Sequence, residues 1–268
     1  MDKAVILAAG AGKRMRQAAP SAALSPEQAE LAARGIKALI PIGRPFLDYV
    51  LARVAEAGYR RVCLVIGPAH DELRTYYGRL ASRRLSITFA VQEEPLGTAH
   101  AVAAAAAFIG DDYFLVINSD NCYPVPVLRE LRGAEGSAVA GFERRGLVSG
   151  GNIPDERVAR FAVLEVGDDG YLRGVLEKPE PAVLDRLPDP ILVSMNCWRF
   201  GPSILTACRK IARSTRGEYE IPDAVTYAIE KLEERLRVFP SSDAVLDLSS
   251  REDIATLWPH LEHLHVDL

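Results

Sequence analysis

Ala4-Val5-Ile6-Leu7-Ala8-Ala9-Gly10-Ala11-Gly12-Lys13-Arg14-Met15 is the stretch on which the fold turns. Its apolar half, residues 4–8, reads as a short buried strand, and it runs directly into a glycine-rich turn carrying two cations. Ligands of open α/β sheets bind beyond the C-terminal ends of the strands, which is where this turn must lie. Glycines there let backbone N–H groups approach phosphate oxygens, and Lys13 and Arg14 add charge that neutralises them. Two familiar phosphate patterns are not met. GxGxxG lacks its third glycine because Met15 stands there, and GxxxxGK[ST] lacks its hydroxyl residue. The turn alone leaves an ordinary strand-to-helix connection open.

Further strands are expected at 61–66, 86–91, 113–118 and 137–142. Helical patterns separate them. Over 45–58, Phe46, Tyr49, Val50, Val54 and Ala55 share one face, with Pro45 suited to a first helical position and Gly58 to a C′ position. Other helices are expected at 71–82, 98–109 and 126–132. Strands alternating with helices predict βαβ units, hence a Rossmann-like α/β fold with a mostly parallel sheet flanked by helices. After about residue 145 the rhythm changes. Gly146, Gly150 and Gly151 suggest a loop, and 160–166 with 171–177 read as an antiparallel hairpin across Gly167-Asp168-Asp169-Gly170. Helices then follow at about 203–213 and 222–234. With no repeat or low-complexity linker, residues 1–268 read as one continuous domain. In 17–35, Ser25, Pro26 and Gln28 form a capping-box signature and Gly35 a stop, predicting a helix over 26–34. That segment is either a solvated excursion or a lid over a bound ligand.

Composition narrows the field. A formal charge of −4 supplies no general field for nucleic acid, so any phosphate site must be local. Cys63, Cys122, Cys197 and Cys208 are far apart and lie mostly in apolar runs, as buried thiols do. His70 and His100 sit near expected helix starts, while His260, His263 and His265 fall in a terminal segment that reads as a solvated helix rather than a zinc site. No signal peptide and no apolar run of about 18 residues is visible, so no membrane partner and a cytoplasmic location are expected.

The motifs beyond the first turn give a resemblance. Gly10 to Met15, then Lys37-Ala38-Leu39-Ile40-Pro41, is similar to the paired signature of the sugar-1-phosphate nucleotidylyltransferases, the glucose-1-phosphate thymidylyltransferase and uridylyltransferase group. Other elements follow in family order: Gln92-Glu93-Glu94-Pro95-Leu96-Gly97-Thr98-Ala99-His100, Asn118-Ser119-Asp120-Asn121, Glu177-Lys178-Pro179, Gly217-Glu218-Tyr219 and Leu246-Asp247-Leu248. The resemblance implies transfer of a nucleoside monophosphate from a nucleoside triphosphate to a sugar 1-phosphate, with release of pyrophosphate. It also implies a nucleotide-binding half at about 1–125 and a sugar-binding half, with the antiparallel additions, at about 126–268.

By this resemblance Arg14 holds the departing phosphates, Lys37 orients the α-phosphate, and Asp120 with Asp247 binds Mg²⁺, which favours one or two carboxylates plus phosphate oxygens. Leu7, Ala9, Gly10, Gly12, Lys13, Gln92, Pro95, Gly97 and Thr98 border the nucleotide. The amide of Gln92 suits the edge of a base, and Gly97 allows close approach. Glu177, Lys178 and Asn196 face the sugar phosphate. Departures gather on the sugar side: Ser119 and Asn196 replace glycines common in the family, Ala162 stands at another, and Val245 stands where an aromatic is frequent. A substrate other than plain glucose 1-phosphate is therefore expected. Alternatives are a cyclitol or phosphocholine-like acceptor, or a catalytically silent nucleotide-sugar sensor. Self-association is common among relatives, and no hexapeptide repeat announces an appended β-helix.

Overall fold

Val5, Ile6, Leu64, Val65, Leu115 and Val116 are all fully buried, so the strands that carry them are covered on both faces. The computed structural model describes residues 1–19, 22–177, 179–184, 186–187 and 189–268. Among these, a nine-stranded sheet forms the centre. Its strands are β1 (Lys3–Leu7), β2 (Arg61–Ile66), β3 (Ser86–Val91), β4 (Phe114–Asn118), β5 (Ser137–Glu143), β6 (Val163–Val166), β7 (Leu172–Leu176), β8 (Leu192–Phe200) and β9 (Leu236–Ser241).

The first four strands are parallel neighbours in the order β3-β2-β1-β4. Alternation along them sorts side chains to two cores. Ala4, Ile6, Leu64, Ile66, Leu115 and Ile117 face Phe46, Leu47, Val50 and Leu128. Val5, Cys63, Val65 and Val116 face Ala99, Val102, Ile204 and Val225 on the other side. Full burial of each such Leu, Ile or Phe contributes about 1.5–3 kcal/mol. All four cysteines are buried and free.

β8 joins the two halves. It runs antiparallel to β4 through Trp198–Val116 and to β5 through Trp198–Val139, and its start touches β6 through Val193–Val163. β9 lies parallel to β5, and a bridge between Tyr171 and Arg237 folds the β6–β7 hairpin back toward it. The antiparallel half therefore curls nearly closed.

The expected helix over 26–34 is present as Pro26–Arg34, with both hydrogen bonds of its capping box and Gly35 left-handed at φ 76°. Four expectations need correction. Pro45 is the N-cap of Phe46–Glu56, not its first residue. The helix starting at Asp71 stops at Arg79, because Ser82 Oγ accepts from the Arg84 and Leu85 N–H groups and turns the chain. The run over 98–109 breaks at Ala105 into Thr98–Ala104 and Ala106–Ile109. Gly146 and Gly150 lie in a helix, Arg144–Gly150, rather than a loop. The glycine at 146 answers to packing: a Cβ there would stand 2.1 Å from the Ser242 carbonyl oxygen. Among the described residues no helix is long and apolar enough to cross a membrane.

Candidate active site

The strand order reverses between β1 and β4, and at such a switch point the loops leaving two neighbouring strands part and open a crevice. Leu7 pairs with Asn118 in register, and the Ser119 N–H donates to the Leu7 carbonyl at 3.1 Å. The glycine-rich turn and Asp120 thus leave one edge side by side. Among the described residues the N–H groups of Ala9, Gly10, Ala11 and Gly12 donate to no protein acceptor. Gly12 is left-handed (φ 60°), and a Cβ on it would lie 2.6 Å from the Cα of Gly35. The turn is therefore pressed against the end of the 26–34 helix. Arg16 donates to the Arg34 carbonyl and Arg251 to the Met15 carbonyl, both at 2.9 Å, fixing the turn from two sides.

A cavity of about 420 Å³ opens here. Leu7, Ala9, Gly10, Gly12, Lys13, Arg14, Lys37, Gln92, Pro95, Gly97, Thr98 and Asp120 all line it. Gln92 follows β3 and is nearly buried. Its Nε2 donates to the Gly97 carbonyl at 2.9 Å and lies 3.1 Å from His100 Nδ1, so the backbone carbonyl fixes which way the amide points. Oε1 meets no protein donor among the described residues. Gly97 (φ 107°) is required by close approach, and the neighbour is the protein itself: a Cβ would stand 2.4 Å from the Tyr219 carbonyl oxygen. Tyr219 N–H donates to the Leu96 carbonyl at 2.7 Å, and Ile221 N–H to Thr98 Oγ1 at 2.9 Å. The Gly217-Glu218-Tyr219 segment is thereby stapled to the Pro95–Thr98 turn.

Lys37 begins a 3-10 turn whose Ala38 and following Ile40 are buried, and its Nζ is ion-paired with Asp120 Oδ2. Asp247 reaches the same place from far along the chain. Leu246–Asp247 pairs antiparallel with Asn121–Cys122, and the Leu248 N–H donates to the Asp120 carbonyl at 2.8 Å. Asn121 Nδ2 donates to Asp247 Oδ1 at 2.8 Å, while Asp247 Oδ2 is buried without a hydrogen-bond partner among the described residues. Burial first, and then the charge of Asp120, push the Asp247 carboxyl up to about 6. Two neighbouring carboxylates with one orphaned oxygen fit a divalent cation that completes its shell with phosphate oxygens and water. No cluster of three or more acidic, His or Cys ligands occurs among the described residues, so a site closed by protein alone is not what this donor set makes.

A family model described as nucleotidyl transferase matches residues 3–259. The chain belongs to that family. Among curated relatives, glucose-1-phosphate thymidylyltransferase of Streptomyces griseus is 32% identical over 85% of this chain and 57% of its own length. The low-salt glycan biosynthesis nucleotidyltransferase of Haloferax volcanii is 28% identical over the same shares. UTP–glucose-1-phosphate uridylyltransferase of the same organism is 29% identical over 85% of this chain and 83% of its own length. The chain thus spans a little over half the length of the first two. A UDP-glucose pyrophosphorylase solved with UDP-glucose superposes with a TM-score of 0.75 at 19% identity, covering 98% of both chains. At that identity the likeness is one of fold, and it agrees with the sheet described above.

Of the expected sugar-side residues, Glu177 and Asn196 are not among those that line the cavity. Glu177 follows β7, and Arg216 Nη2 lies 3.5 Å from its Oε2 while also pairing with Glu220. Asn196 sits in the β8 bulge between Ser194 and Trp198, left-handed at φ 54°, a conformation asparagine tolerates where most residues do not. Its Oδ1 accepts from Trp198 Nε1 at 3.3 Å. The Lys178 expectation lies outside the described residues. Residues outside the reading of the motifs include His70 and Ser249, which line the cavity, and Arg216. His70 Nδ1 accepts from the Gly67 N–H at 3.2 Å, and burial with nearby Arg16 lowers its pKa, favouring neutral imidazole. Its position one short loop beyond β2, at the same sheet edge, was the available signal.

Proposed function

We propose that this chain transfers a nucleoside monophosphate from a nucleoside triphosphate to a sugar 1-phosphate, releasing pyrophosphate, with Mg²⁺ as cofactor. One observation carries the reading: the N–H groups of the glycine-rich turn that have no protein acceptor among the described residues, Lys13, Arg14, Lys37 and Asp120 share one cavity, with Asp247 beside it. Attack of one phosphate on another brings anions together, so catalysis is chiefly positioning and charge stabilisation. Lys13 and Arg14 neutralise the phosphates that leave. Lys37 turns from Asp120 to the α-phosphate, and Asp120 and Asp247 hold the cation. The chemistry that Mg²⁺ held by these two carboxylates would supply is neutralisation of charge on the transferring phosphate. The sugar-phosphate oxygen attacks in line, and no covalent enzyme intermediate is needed.

Gln92 supports a choice of base. With Nε2 committed to the Gly97 carbonyl, the side chain offers an acceptor, which matches a ring N–H, as in uracil, thymine or guanine, and opposes the ring acceptors of adenine and cytosine. The thymidylyl- and uridylyltransferase relatives favour the pyrimidines among these. The residues up to about 125 serve the nucleotide and those beyond serve the sugar, where Glu177 and Asn196 stand; the departures from the family pattern at Ser119, Ala162, Asn196 and Val245 favour an acceptor other than plain glucose 1-phosphate. The test is pyrophosphate release with Mg²⁺ across a grid of nucleoside triphosphates and sugar 1-phosphates. Release is expected with UTP or dTTP and lost in Asp120→Ala. Nucleotide binding without release anywhere on the grid would point to a non-sugar acceptor or a sensor instead.

A further inference from the structure

Asp247 is held by a short segment that no phosphate motif contains. Asn152 bridges the Asp247 peptide in both directions: the Asp247 N–H donates to Asn152 Oδ1 at 2.9 Å, and Asn152 Nδ2 donates to the Asp247 carbonyl at 2.8 Å. This imitates the pairing a neighbouring strand would give and fixes the backbone. Five residues on, Arg157 spends its guanidinium on Asp253, with Nη1 2.9 Å from Oδ2 and Nη2 2.9 Å from Oδ1. Asp253 is anchored in turn by the N–H groups of Ser249 and Ser250, at 2.9 and 2.7 Å.

The result is a fixed separation. Arg157 Nη2 stops 3.6 Å from Asp247 Oδ2, close enough to attract the carboxylate and too far to hydrogen-bond it. The Arg157, Asp247 and Asp253 side chains are 14%, 6% and 7% exposed, so this attraction is weakly screened by solvent. The unpartnered atom of Asp247 is that same Oδ2. We infer that Arg157 is a positioning residue, pinned by Asp253 so that it keeps the Asp247 carboxylate in place while leaving Oδ2 free for a divalent cation.

The inference rests on the metal site of the proposed reaction, and groups that orient a ligand from behind typically set metal affinity by roughly 10- to 100-fold. Charge alone predicts the opposite sign, since removing a cation beside the site should tighten binding of another. The experiment is Mn²⁺ alone titrated into the full chain, followed by loss of the free-ion electron paramagnetic resonance signal, at a temperature where each variant is folded. Arg157→Met is expected to weaken Mn²⁺ binding about 10- to 100-fold, with Arg157→Lys recovering part of it. Asp253→Asn keeps Arg157 but loosens its fork, letting the guanidinium cap Oδ2, and should also weaken binding; it carries the test if Arg157→Met does not fold. Wild-type affinity, or tighter, in folded Arg157→Met while Asp247→Asn loses the site overturns the role of Arg157 and leaves the reaction standing. No difference between wild type and Asp247→Asn overturns the metal site itself, and the role of Arg157 with it.

Discussion

The parallel strands and the seam around Asp247 supply the candidate site by different routes. On the parallel side, the glycine-rich turn, Gln92 and Asp120 each stand just beyond the end of one strand, so a residue's place in the sequence nearly fixes its place in space. At the seam, where Asp247 lies in a separate two-stranded ladder, it is placed by Asn121 and Asn152, 126 and 95 residues away, and Arg157 by Asp253, 96 residues away. A local motif can build a phosphate cradle, whereas the second carboxylate needs the tertiary fold to be complete. Damage on the parallel side should therefore strike chemistry, and damage at the seam should strike stability and metal affinity first.

The largest expected effects test the parallel side. Asp120→Ala and Lys37→Ala remove paired groups that border the cavity. Each should lower kcat/KM for pyrophosphate release by about 10²- to 10³-fold, the scale for losing one preorganised charge-stabilising group. The unfolding midpoint should barely move in either. If Lys37→Ala instead unfolds the protein, its pairing with Asp120 is structural and the comparison breaks. Next comes Gly97→Ala, where the new Cβ must displace the Tyr219 carbonyl and φ stays at 107°. The expected loss of about 1–3 kcal/mol should appear in urea unfolding, together with a raised KM for the sugar phosphate, because the 217–221 segment is joined to the nucleotide loop at this point.

Much of the parallel half was legible because each feature has a local cause. β2 carries its burial in its own apolar run, the edge strand β3 is legible from its apolar residues although none is fully buried, and the 26–34 helix carries both halves of its capping box within four residues. The cavity's Arg14, Lys37, Gln92 and Asp120 were found by family register as well as by strand ends. Elsewhere local signals misled. Glycines at 146 and 150 argued for a loop, yet Gly146 serves the contact with Ser242. Nothing near Arg157 announces Asp253, because a buried ion pair spanning that many residues leaves no periodicity to read. Asn196 stands where the family commonly has glycine, and the left-handed bulge explains why only a few residue types serve there.

The seam offers a pH test. A carboxyl pushed up to about 6 in the folded chain stands above the ordinary value of about 4 in the unfolded one. Over that window the native state binds more protons, so Asp247 contributes a fall in stability as pH rises from about 4 to 6 and a constant penalty above it. With divalent cations chelated, Asp247→Asn should remove that slope. Relative to wild type the variant should gain up to about 2 kcal/mol between pH 4.5 and 7.5 in urea unfolding. An unchanged slope would mean that Asp247 is already ionised across the window, and that the neighbouring cations outweigh its burial.

The smallest expected effect decides what the 17–35 segment contributes. Ser25 Oγ accepts from the Gln28 N–H, and the Gln28 side chain both returns to the Ser25 N–H and donates to the Pro41 carbonyl. The far end of that helix meets the glycine-rich turn at Gly12, and Gly35 and Ile36 line the cavity. Ser25→Ala removes one capping acceptor and should cost about 1 kcal/mol. That corresponds to roughly 2–4 °C of melting temperature at this chain length. If the helix is a lid, loosening its start should also raise KM for the nucleoside triphosphate a few-fold and leave kcat alone, because Gly35 presses on the phosphate turn but touches no reacting atom. If it is an excursion, the melting temperature falls and KM stays. The contact between Gly12 and Gly35 favours the lid, since a surface helix with no role at the cavity has no reason to exclude every side chain at that crossing.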